Sequence, residues 1–134
     1  MFSTKKNGKA QNRIDSLIGV GTRIVGDISF TGGLRVDGEV KGNIASTNEQ
    51  GSTLVISEQA RIEGDISVSH LVINGMVEGA LSSSDFLELQ SHARVTGDVK
   101  YNTIEIHLGA VIDGRLLHQG AVTNTVELKL ASSN

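Results

Sequence analysis

Apolar residues recur along the chain as pairs two positions apart, and the pairs repeat about every six residues. In the segment 54–68 the apolar positions include Leu54, Ile56, Ala60, Ile62, Ile66 and Val68. Side chains two positions apart point to the same face of a β-strand, and the intervening residues often include Gly or Asp, which favour tight corners. The spacing is not that of an amphipathic helix. It predicts short strands separated by corners, with three strands in a turn of about 17 residues.

The same pattern recurs in six consecutive units. Residues 54–67 read LVISEQARIEGDIS, residues 87–100 read LELQSHARVTGDVK and residues 104–117 read IEIHLGAVIDGRLL. The units lie near 16–32, 33–52, 53–69, 70–85, 86–102 and 103–119. The second unit is longer because it contains a polar insertion at 46–52, which is predicted to form a loop at one corner.

A single unit buries too few side chains to offset the conformational entropy lost in ordering it. Stacked units complete the hydrogen bonds between strands and close an apolar interior, as in other solenoids. The sequence therefore predicts an all-β, single-domain, triangular parallel β-helix (β-solenoid) of about six rungs of about 17 residues over 16–119. Parallel crossovers are usually right-handed, so a right-handed coil is expected. Residues 1–15 and 120–134 are predicted to be flexible tails.

A solenoid without caps exposes strand edges and apolar side chains at both ends. No amphipathic helix that could cover either end is evident in the sequence. The terminal units are therefore predicted to associate end to end and to form an open polymer. The residues assigned to this polymer interface are Leu17, Ile18, Ile24, Ile28, Ile104, Ile106, Ile112 and Leu116.

Composition and charge argue against several classes of function. The chain has 134 residues, 16 Gly, no Cys and a formal net charge of −3. Residues 1–13 contain four basic and no acidic side chains, so the remainder carries −7. An acidic body argues against nucleic acid as a partner. The absence of Cys is compatible with a reducing cytoplasm. No membrane-spanning run and no secretory signal are recognised.

No constellation of catalytic residues is found. The four histidines do not converge in the repeat register and are assigned to surface or packing positions. A contact between His92 and His107 on adjacent rungs would allow an adventitious metal site. Asp27, Asp65, Asp98 and Asp113, at or beside the corner glycines, are interpreted as turn formers. No phosphate-binding motif is present, so no nucleotide is expected. No catalytic, cofactor-binding or metal-binding residue is assigned.

Three features together resemble the bactofilin family. They are the I-x-G-D-I string at 24–28 and 62–66 with its variant V-T-G-D-V at 95–99, the V-D-G-x-V-x-G-x-I string at 36–44, and the MFSTKK start. Bactofilins are polymer-forming bacterial cytoskeletal proteins. The resemblance implies a right-handed β-helix that assembles through its terminal rungs, without nucleotide, into nonpolar filaments. It also implies a non-enzymatic scaffold that organises cell-wall enzymes, cell shape or polarity.

Many bactofilins begin with a short membrane-targeting peptide, and Met1, Phe2, Lys5 and Lys6 match its pattern. The aromatic ring of Phe2 is suited to the lipid interface, and each lysine would gain about 1 kcal/mol near anionic lipid. The expected location is therefore the inner face of the cytoplasmic membrane, with the protein itself and possible cell-wall synthesis or remodelling enzymes as partners.

A hexapeptide-repeat acyltransferase is the alternative, because that enzyme class also has a β-solenoid with a six-residue period. Such an enzyme requires a histidine general base at a subunit junction, a long loop and a coenzyme A cleft. The only insertion in this chain is seven polar residues long. The assembly form separates the two hypotheses, because a discrete trimer supports the enzyme and filaments support the polymer.

Overall fold

A computed structural model of the protein describes residues 13–47 and 51–119, which form fifteen β-strands and no helix. The strands are β1 (Ser16–Ile18), β2 (Arg23–Val25), β3 (Ile28–Phe30), β4 (Gly33–Val36), β5 (Glu39–Lys41), β6 (Ile44–Ser46), β7 (Thr53–Ile56), β8 (Arg61–Glu63), β9 (Ile66–Ile73), β10 (Met76–Glu78), β11 (Leu81–Leu89), β12 (Arg94–Thr96), β13 (Val99–Ile106), β14 (Val111–Asp113) and β15 (Leu116–His118).

The strands form a β-solenoid with three strands per turn, and every strand pair is parallel. The first face contains β1, β4, β7 and the second halves of β9, β11 and β13. The second face contains β2, β5, β8, β10, β12 and β14. The third face contains β3, β6, the first halves of β9, β11 and β13, and β15. The long strands β9, β11 and β13 each continue around one corner.

One strand from each face makes a rung, and the chain has six. Rung 1 contains β1 to β3, rung 2 contains β4 to β6, and rung 6 contains the second half of β13 with β14 and β15. These rungs coincide with the six sequence units, so the predicted β-solenoid of about 17 residues per turn is confirmed. The right-handed sense of the coil stays a prediction. The two predicted tails lie largely outside the described residues.

The core is one continuous apolar column inside the coil. Stacking in register places Val40 beside Ile62 and Ile62 beside Val77, and each of these side chains is at most 1% exposed. All fully buried apolar residues of the described chain belong to rungs 2 to 5. The matching residues of rungs 1 and 6 are partly buried or exposed, because each of these rungs has a neighbour on one side only.

A ladder of side-chain hydrogen bonds follows the corner between the second and third faces. The Oδ1 atom of Asp27 accepts the backbone N–H of Asn43, and Asn43 Oδ1 accepts the N–H of Asp65. Asp65 Oδ1 in turn accepts the N–H of Ala80, and all three distances are 2.9 Å. These bonds join successive rungs, whereas the sequence suggested bonds within each turn. The corner residues therefore hold the rungs in register.

The corner between the third and first faces contains buried polar side chains. Ser52 Oγ donates a hydrogen bond to Ser69 Oγ at 3.2 Å, and Ser83 Oγ donates to the carbonyl of Ser69 at 2.9 Å. All three serines are buried. The polar insertion at 46–52 ends at this corner, and its residues 48–50 lie outside the described residues.

We expect Gly97→Ala to destabilise the protein strongly. Gly97 has a φ of 143°, and a Cβ atom there would overlap the carbonyl oxygen of Gly79 in the rung below. Backbone strain alone at such a position costs about 1–3 kcal/mol. Gly19→Ala is the matched control, because a Cβ atom there meets nothing within 4 Å. Thermal unfolding followed by circular dichroism should show a lower midpoint for the first variant and little change for the control. Equal midpoints would contradict this account of the corner.

Candidate polymerisation interfaces at the ends of the coil

Both ends of the described coil present unpaired strand edges. In rung 1, β1, β2 and β3 each pair with a single strand, which belongs to rung 2. In rung 6, β14, β15 and the second half of β13 pair only with rung 5. No other described strand lies on the outer side of either rung. The backbone groups on these edges are therefore available to pair with another chain.

Exposed large apolar side chains are concentrated at the same two ends. Among the described residues, every such side chain belongs to rung 1, to rung 6, or to the segment that enters rung 1. They are Ile14, Leu17, Val20, Val25, Ile106, Leu108, Val111 and Leu116. Leu108 is 95% exposed and Val25 is 74% exposed. A surface of this kind is typical of a protein contact.

Three of the four interface residues predicted at the first end lie on the interior column. Ile18, Ile24 and Ile28 are partly buried and stack on interior residues of rung 2. Leu17 instead pairs with Arg35, points outward and is 60% exposed. It therefore adds to the exposed apolar surface of rung 1 rather than to the column.

All four interface residues predicted at the second end lie on the interior column. Ile104 stacks on Leu87, and the equivalent pairing in β13 places Ile106 on Leu89. On the other two faces Ile112 and Leu116 stack on interior residues of rung 5. Ile106 and Leu116 are nevertheless 46% and 44% exposed, because no rung covers them.

Two apolar corner residues were missed by the sequence reasoning. Val20 and Leu108 occupy the same position in the turn between the first and second faces, in rungs 1 and 6. The interior rungs with a turn of the same length have Glu58 and Ser91 at this position. Comparison of the repeats at this position would have shown that only the terminal rungs carry an apolar residue there.

Charged hydrogen bonds fasten each terminal rung to its neighbour. At the first end, Asp15 Oδ2 accepts the backbone N–H of Gly33, and Arg13 Nε lies 2.9 Å from Asp15 Oδ1. The Gly33 hydrogen bond, aided by Arg13, lowers the pKa of Asp15. At the other end, Arg115 Nη2 lies 2.7 Å from Asp98 Oδ2, and the backbone N–H of Arg115 also donates to Asp98. These bonds lower the pKa of Asp98, with the side-chain bond first in size.

His92 and His107 lie beside different carboxylates. His92 Nε2 lies 3.6 Å from Glu58 Oε2, whereas His107 Nε2 lies 3.1 Å from carboxylate oxygens of Glu88 and Glu105. A metal site shared by the two histidines stays a prediction. The remaining histidines are separate from these: His70 contacts Asp85, and His118 packs its ring against Tyr101.

An open notch lies on the second face near rung 4. The turn before β10 has only two residues, whereas the turns of rungs 3 and 5 have four. The lining includes Arg61, Met76 and Arg94, together with Glu58 and His92, whose side chains approach to 3.6 Å. No part of the polymer interface assigned from the sequence lies in this notch.

The predicted membrane-binding residues Met1, Phe2, Lys5 and Lys6 lie outside the described residues. Within 13–47 and 51–119, no helix could cross a lipid bilayer.

Within the described residues, the fold is a parallel β-solenoid whose two ends are apolar and uncovered. The family model described as "Bactofilin: Polymer-forming cytoskeletal" matches residues 16–117. The chain therefore belongs to the bactofilin family, as its sequence motifs indicated. That family is a structural, cytoskeletal one.

Two curated relatives come from Myxococcus xanthus (strain DK1622). The chain is 33% identical to Bactofilin BacO over 102 residues, which cover 76% of this chain and 78% of the relative. It is 24% identical to Bactofilin BacP over 116 residues, which cover 86% of this chain and 47% of the relative. No solved structure matches significantly.

We expect Asp98→Ala to loosen rung 6, because the substitution removes all three hydrogen bonds that Arg115 donates to Asp98. Amide hydrogen exchange in β15 should become faster. Asp113→Ala is the control, since Asp113 lies on rung 6 itself and its carboxylate has no hydrogen bond or ion pair within the described chain. Unchanged protection in Asp98→Ala would contradict the role of this contact.

The stability that the Asp98 carboxylate adds to rung 6 should decrease at acid pH. A carboxyl group whose pKa is lowered by folding adds stability above its unfolded pKa of about 3.9. That contribution disappears as the pH falls through the lowered value. Protection factors of the wild type and Asp98→Ala should therefore differ near neutral pH and converge in acid.

Proposed function

We propose that this protein is a cytoskeletal scaffold that assembles end to end, without nucleotide, into nonpolar filaments attached to the inner face of the cytoplasmic membrane. The observation that carries the proposal is the coincidence, at both ends of the coil, of unpaired strand edges with the exposed large apolar side chains. Contact between terminal rungs would continue the interior column and pair the edges. Family membership supports the same assignment.

The filament is nonpolar if each end of the coil contacts the same end of another protomer. A like-to-like contact is isologous, so first ends meet first ends and last ends meet last ends. A chain with two such self-complementary ends forms an open filament in which neighbouring protomers point in opposite directions. Unlike ends meeting would instead give a filament with a direction. The two forms make different predictions for variants blocked at one end.

Attachment to the membrane would depend on the polymer. The segment containing Met1, Phe2, Lys5 and Lys6 offers one aromatic ring and a few positive charges, which bind a membrane only weakly in a single copy. A filament carries many copies of this segment, and the combined binding is much firmer through avidity. The filament would in turn provide a fixed surface for enzymes of cell-wall synthesis or remodelling and for cell-shape or polarity factors.

Ile24→Glu and Ile112→Glu should each block elongation. Both side chains lie on the interior column of a terminal rung, and a carboxylate there would have to be buried without a partner in the filament. In nonpolar filaments each variant should stop at dimers joined through its intact end. Negative-stain electron microscopy and sedimentation velocity, without nucleotide or metal, measure the outcome.

Ser67→Glu is the control, because it adds the same charge to an exposed outward position of rung 3 whose in-register neighbours, Ala45 and Ser82, are uncharged. Leu108→Glu tests the interface without risk to the fold, since the side chain is almost fully exposed. Normal filaments from the two column variants, with intact circular dichroism, would contradict the end-to-end contact. If each variant is monomeric and a mixture of the two forms dimers, unlike ends meet. A discrete wild-type trimer would favour the acyltransferase instead.

Deletion of residues 2–6 should leave filaments intact and reduce their co-sedimentation with vesicles that contain anionic lipid. Deletion of residues 130–134 is the control of equal length. The dimers of Ile24→Glu, which keep the N-terminal segment, should bind the same vesicles more weakly than filaments do. Unchanged co-sedimentation after the first deletion would refute this segment as the anchor.

A further inference from the structure

Two carboxylates and an imidazole meet on the outer surface of the first face. Glu88 in β11 and Glu105 in β13 are partners in the parallel register, so they project side by side from rungs 5 and 6. His107 follows Glu105 by two residues, at the start of the corner. Its Nε2 atom lies 3.1 Å from an oxygen of each carboxylate. One ligand atom from each of the three residues fits within 4.8 Å.

We propose that Glu88, Glu105 and His107 form a binding site for a divalent transition-metal cation of the Zn²⁺ type. Tetrahedral zinc holds nitrogen and oxygen ligands at about 2.0–2.2 Å, which places neighbouring ligand atoms roughly 3.3 Å apart. The two His107–carboxylate distances are close to that separation. A cation could therefore bind with only small movements of the side chains, and water would complete its coordination.

The charges of the site favour a cation. Two in-register carboxylates on adjacent strands repel each other. Within the described chain, neither Glu88 nor Glu105 forms an ion pair with a lysine or arginine, and His107 is their shared partner. A divalent cation would neutralise both carboxylates while the imidazole binds it as a neutral ligand. Imidazole and carboxylate together suit zinc.

A second group orients one of the ligands. Gln90 Nε2 donates a hydrogen bond to Glu88 Oε2 at 3.2 Å. Glu88 is also the most sheltered of the three side chains, with 23% of its surface exposed. Hydrogen bonds of this kind hold ligand carboxylates in place in metal sites. The other histidine–carboxylate pairs, such as His92 with Glu58, offer only one carboxylate each.

The site would join two rungs. Glu88 belongs to rung 5, whereas Glu105 and His107 belong to rung 6, which also carries Ile104 and Ile106 of the open end. A bound cation would fasten this terminal rung from the outside. It would stabilise the folded chain, since a ligand that binds only the folded state raises its stability.

The test uses the untagged full-length protein after treatment with a chelator and dialysis. ZnCl₂ is titrated by calorimetry into the wild type, His107→Gln, Glu105→Gln and His92→Gln, and CoCl₂ absorption reports the coordination. We expect one Zn²⁺ per protomer in the wild type and in His92→Gln. Affinity should fall at least about tenfold in His107→Gln and Glu105→Gln. Zn²⁺ should raise the thermal unfolding midpoint of the wild type but not that of His107→Gln.

Two outcomes would overturn the proposal. If the wild type binds no more Zn²⁺ than His107→Gln, His107 is not a metal ligand, and its imidazole only donates a hydrogen bond to the carboxylates. If His92→Gln loses binding equally, the cation sits elsewhere. All three ligands come from one chain, so the same titration on Ile24→Glu should also give one Zn²⁺ per protomer. Failure of the metal site is therefore distinguishable from failure of filament assembly.

Discussion

The structure depends on hydrogen bonding between parallel strands of successive rungs. Each rung has little stability of its own, because its three short strands have no partners within the rung. Its backbone groups are satisfied only by the rungs on either side, and the same stacking closes the apolar column. Interior rungs therefore bury their column residues completely, as Ile62 and Val77 show. The terminal rungs have one neighbour each, so their outer strand edges stay unpaired and their column residues stay partly uncovered.

Much of this architecture could be predicted from the sequence because the repeat is translational. Once Ile62 and Val95 were recognised as equivalent, the strands and the number of rungs followed. The outward direction of Leu17 was also readable, since it alternates with the inward Ile18. The apolar corner residue Leu108 would have required comparison of corner positions as well as strand positions.

The cluster of Glu88, Glu105 and His107 could not be derived in the same way. Glu105 and His107 are two residues apart, but their meeting with Glu88 depends on the register between β11 and β13. That register shifts between Ser83 and Phe86, where the strand turns a corner. It also depends on which way His107 turns at the end of its strand. Sequence periodicity locates a strand but does not fix the side-chain direction at a corner.

The insertion at 46–52 shows that a corner of the coil can accept additional residues. The chain leaves rung 2 and returns to rung 3 with the stacking undisturbed: Ile56 still lies beside Val36, and Ile66 still lies beside Ile44. Corners can therefore lengthen sideways without altering the axis of the coil or either end. Six rungs at about 4.8 Å give a protomer height of roughly 29 Å. In a filament of such protomers, a longer insertion would project from the surface once per protomer. The protomer height would therefore set the spacing between successive insertions.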